Sequence, residues 1–388
     1  MLRLVHTADI HLGARHADLG DQAAELRERQ FAAFAASVDL ALEEKVDAFL
    51  VAGDLFDSNT QPRRSVERAA AELGRLVAGQ VRVALIPGTH DVYDRASVYR
   101  AYDLGALAGA PPSSDRLVVL TPERPEVVWA ALDLTVHGRV FATKRAPADP
   151  LAGLDVSDDH RTTWHVALVH GSVRIAGVTE HDEVVVAPET IAASGLDYLA
   201  LGHWHSTRRG RAGSTVWAYP GAPEPVALDQ AGAGNLLLVS LEQRDGRRGV
   251  TVEERQVGRT RVERLDIDAG EIGSQPALVG RLDGMADPDL VLDVRLTGVR
   301  PEALDLVPEE VERGLGPRFF RLRVRDVSVA ALPDGPLPPP DTIAGALARD
   351  LEARIADAEA AGDPDAAAEL REALRLARLL LDGREVTL

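Results

Sequence analysis

Apolar positions along residues 1–90 recur in two alternating rhythms. Leu2-Arg3-Leu4-Val5 has the dense apolar character of a short strand. Leu26, Phe31, Phe34, Val38 and Leu42 then recur at three- to five-residue spacing, the repeat of one helix face. Ala48–Ala52 is an unbroken apolar run, as expected of a strand covered on both faces. Val66, Leu73 and Leu76 mark a second helix, and residues 81–86 a third strand. Strand, helix, strand, helix, strand is the rhythm of a layered α/β domain, in which ligands sit beyond the carboxyl ends of the strands.

From 96 to 150 the pattern is weaker. It predicts a helix over Tyr99–Leu107 and strands at Leu117–Leu120, Val127–Leu132 and Leu134–Arg139, with a polar loop over 144–162. Further strands are predicted at His165–Val169, Tyr198–Leu201, Thr215–Tyr219 and Asn235–Leu241, with a short helix over Pro188–Ser194. Arg244–Gly249 reads as a hinge, which places a first domain at 1–245. Strands at Val250–Val257, Leu290–Leu296 and Phe319–Val329 and a helix at Pro301–Leu315 predict a small α+β domain at 246–331. A proline-rich linker at 332–341 leads to a helical hairpin at 342–388. Its stripes are Ile343, Leu347, Leu351 and Ile355 on one helix and Leu370, Leu374 and Leu381 on the other.

Several of these strands break into Asp or His where they end. Asp9 and His11 follow the first, two apart and so on one side of an extended backbone. Asp54 follows the second; His90 and Asp91 follow the third; His170, then His203 and His205, end two later ones. Carboxylates and imidazoles brought together favour transition ions such as Mn, Fe or Zn. Two such ions a few ångströms apart clamp a phosphoryl group, and Asp54, on the turn made by Gly53, is the natural bridge. A lone strand-end histidine is more often structural than a ligand, but coincidence does not account for several converging stretches. His6, His16, His137, His160, His165 and His181 lack this placement and read as surface or neighbouring groups. Asp57 reads either as a ligand or as a cap for the next segment, with the cap favoured; Phe56, Trp164 and Trp204 read either as base-stacking groups or as core packing, with packing favoured.

Composition narrows the field. The chain has no cysteine, which excludes disulfides, thiolate metal sites and cysteine nucleophiles. A formal charge of −18 argues against a general nucleic-acid coat but not against a local site, where bound cations invert the field. No apolar run reaches the roughly 18–20 residues that span a bilayer, and no signal-peptide pattern opens the chain, so a cytoplasmic protein without membrane contact is expected.

The order Asp9-x-His11, Gly53-Asp54-x-x-Asp57, Gly88-Thr89-His90-Asp91, His170-Gly171 and Gly202-His203-x-His205 resembles the calcineurin-like metallophosphoesterase signature. Within that superfamily, His6–Gly13, Ala52–Asp57 and Tyr219–Ala222 are similar to the SbcD-type nucleases of double-strand-break repair. The resemblance implies a four-layer β-sandwich flanked by helices, with a small cap domain and C-terminal helices. It implies that Asp9, His11, Asp54 and His205 bind one ion, typically Mn, and that Asp54, His170 and His203 bind the other. It gives His90 the scissile phosphate or leaving oxygen, and Asp91 the orientation of His90. It further implies exo- and endonuclease action on DNA ends and single strands, a homodimer, and docking of the terminal helices on an SbcC-type coiled-coil ATPase. The family has Asn before the His of the third motif as a ligand of the second ion; Thr89 stands there, and a weaker second site is expected. Two alternatives compete: a phosphodiesterase for nucleotides or other small diesters, and a catalytically weakened scaffold that binds DNA ends.

Overall fold

The computed structural model describes the chain except residues 21, 176, 180–181, 228–231, 302–303, 331–336 and 382–388. His181, most of the proline-rich linker and the last residues of the terminal hairpin therefore lie outside the described residues. The chain divides into two compact units, Met1–Val262 and Glu263–Leu388.

In the first unit, β1 (Leu2–Thr7), β2 (Ala48–Ala52), β3 (Arg82–Ile86) and β4 (Leu117–Val119) are separated by α1 (Gln22–Glu43), α2 (Arg63–Ala78), α3 (Val98–Ala101) and α4 (Leu104–Leu107). There follow β5 (Glu126–Trp129), β6 (Leu134–Arg139), β7 (Trp164–His170), β8 (Ser172–Val173) and β9 (Val185–Val186). Then come α5 (Pro188–Ala193), β10 (Tyr198–Gly202), β11 (Arg208–Ala212), β12 (Thr215–Tyr219), β13 (Asn235–Arg244) and β14 (Arg247–Gln256).

Two six-stranded sheets form, in the orders β14-β13-β1-β2-β3-β4 and β11-β12-β10-β7-β6-β5. Alternation along β2 explains its unbroken apolar sequence. Phe49 and Val51 join the core shared with Phe34, Val38, Leu73 and Leu76 of α1 and α2. Ala48, Leu50 and Ala52 join the core shared with Val166, Leu168 and Ala200 of the other sheet. The far face of that second sheet packs Val169, Leu199 and Leu201 against Ile191 of α5. Helices, sheet, sheet and helix make the expected four layers, and both faces of each sheet are covered.

The first boundary differs from expectation. Arg244–Arg247 closes a hairpin, and β14 pairs with β13 from Asn235↔Gln256 to Arg244↔Arg247. Residues 246–256 thus belong to the first sheet, and the unit ends at Val262 rather than 245. Tyr99–Leu107 is two short helices broken at Tyr102–Asp103, and residues 130–132 form a helical turn instead of extending β5.

The second unit holds most of β15 (Arg261–Asp268), then α6 (Gln275–Asp283), β16 (Leu290–Thr297), β17 (Val299–Arg300), α7 (Pro308–Leu315), β18 (Arg321–Asp326) and β19 (Val329–Ala330). Its three-stranded sheet, β15-β16-β18, buries Ile267, Leu292, Val294, Leu322 and Val324 with Leu278, Leu282 and Val311 of the helices. The predicted helix at 301–315 begins only at Pro308. The terminal hairpin is α8 (Ile343–Ala360) and α9 (Pro364–Leu381). Leu351 of its stripe is buried, whereas Ile343 is 84% exposed.

Candidate metal centre

β1, β2, β3, β7 and β10 run parallel within their sheets where they adjoin one another, so their carboxyl ends share one rim. The loops leaving that rim carry the candidate ligands. Asp9 and His11 do not continue an extended strand. Their φ angles are 54° and 50°, and those of Asp54 and His203 are 51° and 98°. Four non-glycine residues in the left-handed region at one site mark backbone held in place for a purpose. The backbone is pinned by hydrogen bonds from His11 N–H to the Asp54 carbonyl (3.0 Å) and from Asp9 N–H to the Gly53 carbonyl (3.2 Å). Close approach requires two glycines. A Cβ on Gly53 would stand 2.3 Å from His170 Nδ1, and one on Gly88 would stand 2.2 Å from Asp54 Oδ1.

Asp54 lies at the middle. Its Oδ1 accepts the His90 N–H at 2.8 Å. Its Oδ2 lies 3.1 Å from His170 Nε2 and 3.7 Å from His11 Nε2. Burial opposes its ionisation, yet His170, His11 and His90 hold it well below the usual carboxylate range. His170 Nδ1–H donates to the Ala52 carbonyl at 2.9 Å, which aims the Nε2 lone pair at Asp54. Two acceptors face each other there and require a cation between them. With only protons to supply it, burial opposes protonation but the Asp54 and Asp9 carboxylates prevail and lift His170 to about 10. His11 Nε2 is buried and has no hydrogen-bond partner among the described residues. Ligand atoms of Asp9, His11 and His205 lie within 4.8 Å of one another, as do those of Asp9, Asp54 and His170. Buried lone pairs on imidazoles and carboxylates that converge in one place fit divalent metal ions.

The other predicted residues take these places. His203 packs edge-on to His170, ring centroids 5.3 Å apart, and its backbone N–H donates to Asp9 Oδ1 at 2.9 Å. Burial and the neighbouring His170 keep it neutral, lowering its pKa. His205 meets the His11 ring at 5.1 Å. Thr89 is buried with Oγ1 3.5 Å from His170 Nε2.

Among the described residues, Asp91 bonds to the turn that carries His90 and not to the His90 ring. Its Oδ1 accepts the Gly88 N–H (2.7 Å), its Oδ2 the Phe56 N–H (3.1 Å), and the Tyr99 hydroxyl also donates to it. Its carboxylate is fully buried, and burial together with Asp54 pushes its carboxyl up to about 6. The group on His90 is Asp57. The Asp57 carbonyl accepts from His90 Nδ1–H at 3.0 Å, and its Oδ1 lies 3.3 Å from His11 Nδ1. Asp57 caps nothing: α2 starts at Arg63, with Pro62 before it. Its ligand atom clusters with those of His11 and His90. Half-exposed His90 stands at the mouth of the site.

Residues 2–207 match the calcineurin-like phosphoesterase family, and the chain belongs to it. Among its relatives is the DNA double-strand break repair protein Mre11 of Aeropyrum pernix, 28% identical over 281 residues, 71% of this chain and 65% of that protein. An uncharacterized metallophosphoesterase of Bacillus subtilis, YhaO, is 24% identical over 63% of this chain and 58% of its own length. The SbcD component of the SbcCD nuclease from the same organism is 26% identical over 60% of this chain and 64% of its own length. The chain spans less than two thirds of the length of these relatives. Among the described residues, no helix is long and apolar enough to cross a membrane.

Proposed function

We propose that this chain is a divalent-metal-dependent phosphodiesterase that cleaves DNA at ends and in single strands during repair. The carrying observation is Asp54, whose one carboxylate oxygen lies 3.1 Å from His170 Nε2 and 3.7 Å from His11 Nε2. Asp9, His11, Asp54 and His205 would hold one ion, and Asp54, Thr89, His170 and His203 would hold the other. The names of the Mre11 and SbcCD relatives support DNA as the substrate. The same proposal takes Mn as the metal, an SbcC-type ATPase as partner, a homodimer as the working form and the cytoplasm as its place. The partner-docking segment would be α8 and α9, where Ile343 and Leu347 are left exposed.

When bound, divalent ions polarise the phosphoryl group and lower the pKa of water at the site. The chain's own residues do the rest. His90 is oriented by its Nδ1–H bond to the Asp57 carbonyl, which leaves Nε2 facing outward to a phosphate oxygen or a leaving group. Asp91 holds the Gly88 and Phe56 amides and so fixes the turn that carries His90. The left-handed backbone at Asp9, His11, Asp54 and His203 pre-sets the ligands before substrate arrives. With Mn2+ present, duplex DNA ends are expected to be cleaved at least as efficiently as a small chromogenic diester. Hydrolysis of the small diester alone would favour a small-substrate phosphodiesterase instead.

A further inference from the structure

A pocket of about 560 Å3 opens beside the metal centre, with Gly13, Arg15, Arg27, Asp57, Gln61 and Arg64 among its walls. Its size lies within the range of small-ligand sites, roughly 300–1,000 Å3. Asp57 joins it to the catalytic rim, because the carbonyl that orients His90 belongs to this wall residue. The pocket's charge runs against that of the chain, which carries −18 overall. Neighbouring arginines are neutralised: Arg63 pairs with Glu67 and Arg68 with Glu28. Arg15, Arg27 and Arg64 form no ion pair among the described residues; Arg27 donates to the Arg15 carbonyl, at 3.0 Å. Arg15 and Arg64 are exposed. The wall also includes the start of α2, whose N-terminus has no side-chain cap. Guanidiniums without a paired carboxylate around a concave wall suit a phosphate group.

We propose that this pocket seats the phosphate next to the scissile one in a polynucleotide strand, with Arg15 and Arg64 as its charge partners. This rests on the phosphodiesterase function above and adds a substrate-class determinant to it. A single-phosphate substrate bound at the metal centre cannot reach this subsite, whereas a strand fills both.

The test compares wild type with the Arg15→Ala/Arg64→Ala double variant, using Mn2+, a short single-stranded oligonucleotide and bis(p-nitrophenyl) phosphate. The ratio of kcat/KM for the oligonucleotide to that for the small diester is expected to fall about tenfold or more, as loss of charge-assisted bonds implies. The dependence of log KM for the oligonucleotide on log salt is expected to become shallower by roughly one unit. The Arg15→Lys/Arg64→Lys variant keeps the charges and is expected to retain the salt slope. An unchanged ratio overturns the proposal. So does an equal loss on both substrates, which would assign the arginines to the fold or to the common chemistry. If wild type hydrolyses the diester but no oligonucleotide, the polynucleotide function fails and the subsite with it. If oligonucleotide is cleaved and the ratio stays put, only the subsite fails.

Discussion

Thr89 and Asp57 are the residues at which this site differs from its sequence-based expectation or tests it. Thr89 presents a hydroxyl one bond from Cβ, 3.5 Å from His170 Nε2. An asparagine oxygen would reach one atom further into the second-ion side. Thr89→Asn is therefore expected to raise affinity for the weaker ion by about tenfold in calorimetric Mn2+ titration, the scale on which metal sites respond to their surroundings. Two equally tight sites in the wild-type protein would contradict this. Asp57 was legible as part of a motif but not in its role. Only the fold shows that its carbonyl holds His90 and its carboxylate leans on His11. Asp57→Ala is expected to lower kcat roughly 10–100-fold, and a kcat within twofold of wild type would remove Asp57 from the machinery. The route by which Asp91 would act on His90 was not legible, because adjacency in sequence says nothing of direction. The side chain after His90 turns inward to Gly88, Phe56 and Tyr99.

At the scale of elements, buried parallel strands were legible because unbroken apolar runs end in polar turns, and those turns carry the site. Elements without a period were not: the two-residue β8 and β9, the exposed arginine-rich β11, and α6. The hairpin at 244–247 did leave a signal. Asp245-Gly246 is a two-residue hairpin turn with both φ angles positive, 50° and 75°. Its polar composition resembles a linker, which is why a hinge was expected there. The β3 turn makes the sharpest prediction at this scale. Gly88→Ala places a Cβ 2.2 Å from Asp54 Oδ1 and 2.6 Å from Asp54 N. Overpacking of this kind costs about 1–3 kcal/mol. A lower denaturant midpoint is expected together with weakened metal binding, whereas wild-type values of both would show that the turn is not tightly fitted.

Across the first unit, the two sheets meet through an apolar core, and within it His6 Nδ1 of β1 reaches the Tyr198 hydroxyl of β10 at 2.8 Å. Burial lowers His6 to about 3, so it stays neutral in the folded protein. The unfolded chain takes up a proton at this histidine below about 6.5, and the folded chain does not. His6 therefore supports full stability above that pH and loses up to about 1.4 kcal/mol per unit as pH falls toward 3. Wild type is expected to lose denaturant resistance more steeply than His6→Asn between pH 6.5 and 4; parallel profiles would contradict this. The layered sandwich itself was legible from alternating strands and helices. The unit boundary at Val262 was not, because it depends on which partner β14 finds.

The central claim, a metal-dependent phosphodiester centre bridged by Asp54, is tested most directly by Mn2+-dependent DNA cleavage in wild type and Asp54→Asn. The expected result is cleavage by wild type that stops on chelation, and a loss of about a thousandfold or more in Asp54→Asn, equivalent to about 4 kcal/mol of transition-state stabilisation. Cleavage that persists in Asp54→Asn, or none by wild type at any divalent metal concentration, would contradict it.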